Sequence, residues 1–144
     1  MSEETQKYSG TDKLRQVYEF RFRNSDVRNI EMRGYIAKTV AEQTRKLRGN
    51  YSLSEFSKRF GVSVGMIQSL EHATDMDLPT LKAMVRLAKA FDVAIVAHFV
   101  DYPTMLEAYD NPRVSFIRPQ AFDEAHFTAY LHGPTRPALL RLDQ

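Results

Sequence analysis

The sequence predicts a mainly α-helical chain that ends in a small β extension. Three observations carry that prediction. Residues 51–72 hold two short apolar stripes at helical spacing, separated by Gly61. Residues 81–91 hold a longer stripe behind Pro79-Thr80. Val93–Val100 is a run rich in β-branched residues, which suits a strand.

Each element has its own local reason. Residues 1–12 are polar, carry Gly10 and show no apolar period, so they read as a disordered arm. Lys13–Asn24 carries Leu14, Val17, Tyr18 and Phe22 with its basic residues outward, which suits a helix. Its alternation of Val17, Glu19, Arg21 and Arg23 against Tyr18, Phe20 and Phe22 suits a strand equally; helix is the reading preferred. In Ser52–Phe60, Leu53, Phe56 and Phe60 form one stripe, with Glu55, Lys58 and Arg59 opposite. Gly61 stops this helix, because glycine adopts a left-handed backbone at little steric cost. Val62 then turns inward, and Ser63 offers a side-chain oxygen to the free amides of the next helix. In Val64–His72, Ile67 and Leu70 point inward, leaving Val64, Gly65, Gln68, Ser69 and His72 for the outer face. Ala73 is not a helix stop, so this helix is expected to end within Thr74–Asp77. Thr80 caps a supporting helix whose expected buried face is Leu81, Met84, Val85, Leu87, Ala88 and Phe91. By periodicity alone, a small helical bundle with an inert surface fits these residues as well.

The matching residues go further than periodicity. Leu47-Arg48, Ser52-Leu53-Ser54-Glu55-Phe56, Gly61-Val62-Ser63, Ile67 with Leu70-Glu71, and Thr80-Leu81 through Leu87–Val93 stand in a characteristic order. This middle part of the chain resembles the Xre/Cro-type helix-turn-helix family of bacterial and phage regulators. The resemblance implies a lambda-repressor-like helix-turn-helix bundle spanning residues 13–92. It makes Arg33–Arg48 the first helix of that domain, with Ile36, Val40 and Leu47 inward. It also implies that Glu71 pairs with Arg48 or Lys46.

The function implied by the resemblance is a sequence-specific, DNA-binding transcriptional regulator, with repression by promoter occupancy as the simplest mechanism. The DNA-contacting residues would be Ser52, Ser54, Lys58, Arg59, Ser63, Val64, Gly65, Met66, Gln68, Ser69 and His72, flanked by Arg45 and Arg48. The chain departs from the family where Leu53 replaces a phosphate-holding glutamine and where Val64, Gly65 and Met66 hold base-reading positions. Specificity would then rest on thymine methyls, DNA shape and half-site spacing more than on bidentate arginines. Some family members carry an apolar strand after the last helix that pairs with its copy in a second subunit. Residues 93–144 are therefore expected to form a strand and an irregular tail used for dimerisation. The strand's partner is a second chain or Val114–Ile117 of the same chain. Tyr102–Thr104 opens a short helix, Met105–Tyr109, and Asn111-Pro112 a turn. The alternative function is a protein-interaction module, such as an antitoxin or a phage-encoded inhibitor, that grips a toxin or host protein.

Composition agrees without deciding. A chain of 144 residues predicts one domain with a modest core. A net charge of +2 does not argue nucleic acid. Its distribution says more: arginine and lysine crowd residues 15–59, while Asp75, Asp77, Asp101, Glu107, Asp110, Asp123 and Glu124 follow. With no cysteine, disulfides, thiol catalysis and cysteine zinc sites are excluded. No signal peptide or membrane span is recognisable, so a cytoplasmic protein is expected. His72, His98, His126 and His132 are scattered, no phosphate loop or nucleophile motif appears, and neither a cofactor nor an enzyme is expected.

Overall fold

The computed structural model describes residues 10–110 and 119–134. Seven helices occupy them: α1 Gly10–Phe22, α2 Ser25–Arg48, α3 Leu53–Phe60, α4 Val64–Glu71, α5 Leu81–Phe91, α6 Tyr102–Asp110 and α7 Glu124–His132. The N-terminal segment 13–24 is thus helical, and residues 10–12 of the expected arm open α1. Residues 1–9 lie outside the described residues.

α2 is the spine. It runs for 24 residues, a rod of about 36 Å. Asn24 caps its start by accepting amides of Asp26 and Val27. It begins eight residues before the expected Arg33: Asn24 caps its start, and no proline stands between Ser25 and Arg48. Its C-terminal half packs on the helix-turn-helix core, where Val40 and Leu47 meet Phe56, Val62, Ile67, Leu70, Leu87 and Phe91. Phe56, Ile67 and Leu70 are wholly buried. Phe56 stacks near Phe60 and Phe91, with ring centroids 4.5 and 4.8 Å away.

The other half of α2 carries α1 and α6. Met105 is buried there. Tyr102 meets Phe22 edge-on at 5.7 Å, and Tyr109 lies 5.9 Å from Tyr35. Lys38 donates to the Tyr109 hydroxyl at 3.0 Å, a contact that holds the ammonium pKa above its ordinary value.

Three expectations are corrected. Leu81 and Val85 are about half exposed. The stripe facing the core is Met84, Leu87, Ala88 and Phe91, and Val85 sits roughly 100° round the helix from Met84. The expected β extension does not appear among the described residues. Residues 93–100 take no regular secondary structure and pair with no strand among the described residues, since a ladder needs a second strand and none of the described residues supplies one. The internal candidate Val114–Ile117 and the Asn111-Pro112 turn lie outside the described residues. Finally, the tail is not wholly irregular. Asp123 caps α7 by accepting the His126 amide, and Gly133 closes it.

Candidate nucleic-acid interface

The joints between α3 and α4 are all closed by local chemistry. The Ser52 hydroxyl accepts the Glu55 amide at 3.1 Å, while the Glu55 carboxylate accepts the Ser52 amide at 2.9 Å. This reciprocal capping box holds the Glu55 carboxyl below its ordinary pKa, first through the backbone amide and then through the hydroxyl. Gly61 turns the chain at φ 68°, Val62 is buried, and the Ser63 hydroxyl accepts the Met66 amide at 3.1 Å. α4 is thereby set at a fixed angle to α3.

One face of α4 points to solvent. Gly65, Gln68, Ser69 and His72 are exposed and Val64 is half-buried. A Cβ added at Gly65 would meet open space, so nothing among the described residues requires glycine there. His72 closes the helix, earlier than the expected Thr74–Asp77, because its own amide and ring satisfy the last carbonyls. Its Nδ1 lies 2.9 Å from the Gln68 carbonyl oxygen. That oxygen only accepts, so Nδ1 carries the proton and Nε2 is the ring nitrogen left for a ligand. Met66 behaves differently from its neighbours: it is half-buried and packs on the core.

The arginines of α2 are engaged internally. Arg48 forks onto Glu71, with Nε–Oε1 at 2.5 Å and Nη2–Oε2 at 3.1 Å. Its third nitrogen donates to the Tyr51 carbonyl at 2.8 Å. Glu71 is 4 % exposed, so the pair is the buried polar joint between α2 and α4, and it raises the Arg48 pKa. Arg45 donates to the Glu71 carbonyl at 2.6 Å, occupying another helix-end acceptor. Arg45 and Arg48 therefore hold α4 in place, and Arg45 stays exposed beside it.

Lys58 and Arg59, at the end of α3, are exposed. Arg59 lies over the Tyr51 ring at 5.4 Å and the Phe60 ring at 5.8 Å, which fixes the direction of its guanidinium. Ser52 and Ser54 are exposed on the same helix start, and Ser63 is exposed at the cap of α4. The structure brings Ser63, Val64, Gly65, Gln68, Ser69 and His72 together along the cap and solvent face of α4. It also shows two features that sequence reading missed. Tyr51 positions Arg59. Arg33 donates to the Asp75 carbonyl at 2.6 Å, pinning the turn 74–77, whose Thr74 and Asp77 exchange backbone hydrogen bonds.

Chain comparison agrees with this geometry. Residues 42–97 match the family model described as Helix-turn-helix. They form an Xre-type helix-turn-helix. The match begins inside α2 and runs five residues past Asp92, into the segment without regular structure that follows α5. No curated protein and no solved structure matches the chain. The helix-turn-helix marks a DNA-binding regulator. Among the described residues no helix is long and apolar enough to cross a membrane.

Proposed function

We propose that this protein is a sequence-specific regulator of transcription that binds double-stranded DNA as a homodimer and represses by occupying a promoter. The observation that carries the reading is the rigidly held α4, whose solvent face is polar and uncovered. Val64 offers a methyl surface to thymine, and Gln68 and Ser69 offer hydrogen bonds to base edges. Gly65 lets the α4 backbone approach the groove closely. Lys58 and Arg59, with Ser52, Ser54 and Ser63, supply phosphate contacts that fix register. Two copies would set their α4 helices in successive major grooves about 34 Å apart, on a nearly palindromic site.

Fluorescence polarisation tests this, using the DNA upstream of the protein's own gene against a scrambled duplex at low and physiological salt. At physiological salt the native duplex is expected to bind at least about a hundredfold tighter. Equal, salt-labile binding to both would reduce the site to a basic surface. A second reading, an interaction module for a toxin or host protein, draws on the unburied apolar side chains beyond Asp92. It gains nothing from α4, because Met66 faces the core. Failure to bind either duplex would make it the leading account.

A further inference from the structure

The half of α2 that lies outside the helix-turn-helix core walls a cavity together with α1 and α6. On α2, Ile30, Gly34 and Lys38 recur every fourth residue and so share one face. α1 brings Tyr18 and Arg21 to that face, and α6 brings Met105, Leu106 and Tyr109. The turn behind α4 contributes Asp75. The space between them is about 320 Å³, at the small end of ligand sites. Tyrosine rings and aliphatic side chains share its wall with Arg21, Glu31, Lys38 and Asp75.

Two of these charges cancel, because Arg21 pairs with Glu31 across α1 and α2. The other two do not. The Lys38 ammonium donates to the Tyr109 hydroxyl, a neutral partner, at 3.0 Å, and no carboxylate among the described residues forms an ion pair with it. Asp75 is half-buried. Arg33 takes its backbone carbonyl at 2.6 Å, while its carboxylate has no hydrogen bond or ion pair among the described residues. Gly34 adds an independent observation. Glycine inside a helix weakens it relative to alanine, yet a Cβ at Gly34 would meet nothing within 4 Å. Packing among the described residues does not call for glycine there; a molecule lying against this face of α2 would.

We propose that this cavity binds a small zwitterion, an α-amino acid with an aromatic or branched apolar side chain, and that its binding is felt at α4. The ligand carboxylate would meet Lys38, its ammonium Asp75, and its side chain the tyrosine and aliphatic wall beside Gly34. A cation alone would leave Lys38 without a counter-charge, and an anion alone would leave Asp75 so. Asp75 stands in the turn that follows α4 and already hangs from Arg33 of α2. A ligand held by its carboxylate adds a second tie between α2 and that turn. The site itself is independent of the DNA reading; the effect at α4 rests on it, and by linkage DNA and ligand would change one another's affinity by the same factor.

Calorimetric titration of the full chain without DNA tests the site, with L-tryptophan, L-phenylalanine and L-leucine as probes. The decarboxylated and deaminated analogues of whichever binds follow. Saturable binding of at least one amino acid is expected, with each analogue at least about tenfold weaker, since each loses one charged hydrogen bond. Gly34→Leu should abolish binding without lowering the thermal midpoint, because leucine favours a helix more than glycine does. Asp75→Asn keeps the backbone bond to Arg33; it should weaken the amino acid at least about tenfold and leave the deaminated analogue unchanged. Binding of none of the three amino acids overturns the site, as does binding that survives Gly34→Leu. Analogues that bind as well as the amino acid overturn the zwitterion. Fluorescence polarisation then reads DNA affinity with and without saturating amino acid, and a change of at least about fivefold is expected in the wild type. An unchanged affinity overturns the coupling and leaves the cavity site. No DNA binding in either state overturns the coupling together with the regulator reading, while the calorimetric result stands.

Discussion

The helix-turn-helix and the chain beyond Asp92 have similar apolar content, yet they use it in opposite ways. In the first, Phe56, Ile67 and Leu70 are wholly buried and every helix end is capped from within. In the second, Val96, Phe99, Phe122 and Phe127 are exposed and α7 buries nothing. The first region is finished by its own chain; in the second, large apolar side chains among the described residues stay uncovered. Hydrophobicity alone therefore does not mark a core: closure does, when caps and neighbours satisfy both the apolar and the polar groups of a segment.

Substitutions that act on one region and spare the other measure the contrast. The largest effect is expected from Phe56→Ala, which opens a cavity among Phe60 and Phe91 and should cost about 3–5 kcal/mol in urea unfolding. Phe99→Ala should leave the folding free energy of the monomer within about 0.5 kcal/mol of wild type. Equal losses from the two would end the comparison. Next comes Arg48→Ala, which strands the buried Glu71 carboxylate. A buried pair broken on one side costs about 3–5 kcal/mol, and the lower end applies because Arg48 is partly open to water. Arg48→Ala with Glu71→Ala together should be less destabilising than the sum of the two singly, read from a double-mutant cycle.

A smaller effect is expected at the cap of α4. Ser63→Ala removes the acceptor of the Met66 amide and should lower stability by about 1 kcal/mol. By contrast Lys58→Ala should leave the thermal midpoint unchanged while reducing the slope of log affinity against log salt by about 1. An unchanged slope would remove Lys58 from the phosphate contacts.

The smallest effect is a pH dependence at the capping box. The folded Glu55 carboxyl has a lowered pKa. A lowered carboxyl contributes stability that is present above its unfolded value and lost as the pH falls through the folded one. Glu55→Gln keeps a hydrogen-bonding side chain without the charge. Its thermal midpoint should lie slightly below wild type at neutral pH and converge on it in acid, below the ordinary glutamate range. A gap that widens in acid would reverse the sign and remove the charge from the cap's contribution.

Much of the helix-turn-helix was legible in the sequence because its joints are local. Ser52, Gly61, Ser63 and Thr80 act on amides and carbonyls within a few residues, so their positions alone announce helix ends. The buried faces of α3 and α4 followed from Phe56, Ile67 and Leu70. What failed depended on distant partners. The pairing of Glu71 with Arg48 was expected and is present, but that Arg45 also reaches the Glu71 carbonyl depends on how α2 crosses α4, which spacing does not record. Leu81 and Val85 were assigned to the buried face without knowing how far the core reaches. The run 93–100 has a strand's composition, but a ladder is a property of two segments. α7 was readable and overlooked: Asp123 before it and Gly133 after it are the same signals that located α4.

The pinning of the turn after α4 has a thermodynamic consequence. Arg33 holds Asp75, Arg45 and Arg48 hold Glu71, and Ser63 closes the other end, so the α4 face proposed to meet DNA is held in place by the chain's own bonds. Docking then needs no folding step within residues 51–77. Calorimetry of DNA association should accordingly give a modest negative heat-capacity change, set by the surface the two partners cover rather than by a helix that forms on contact.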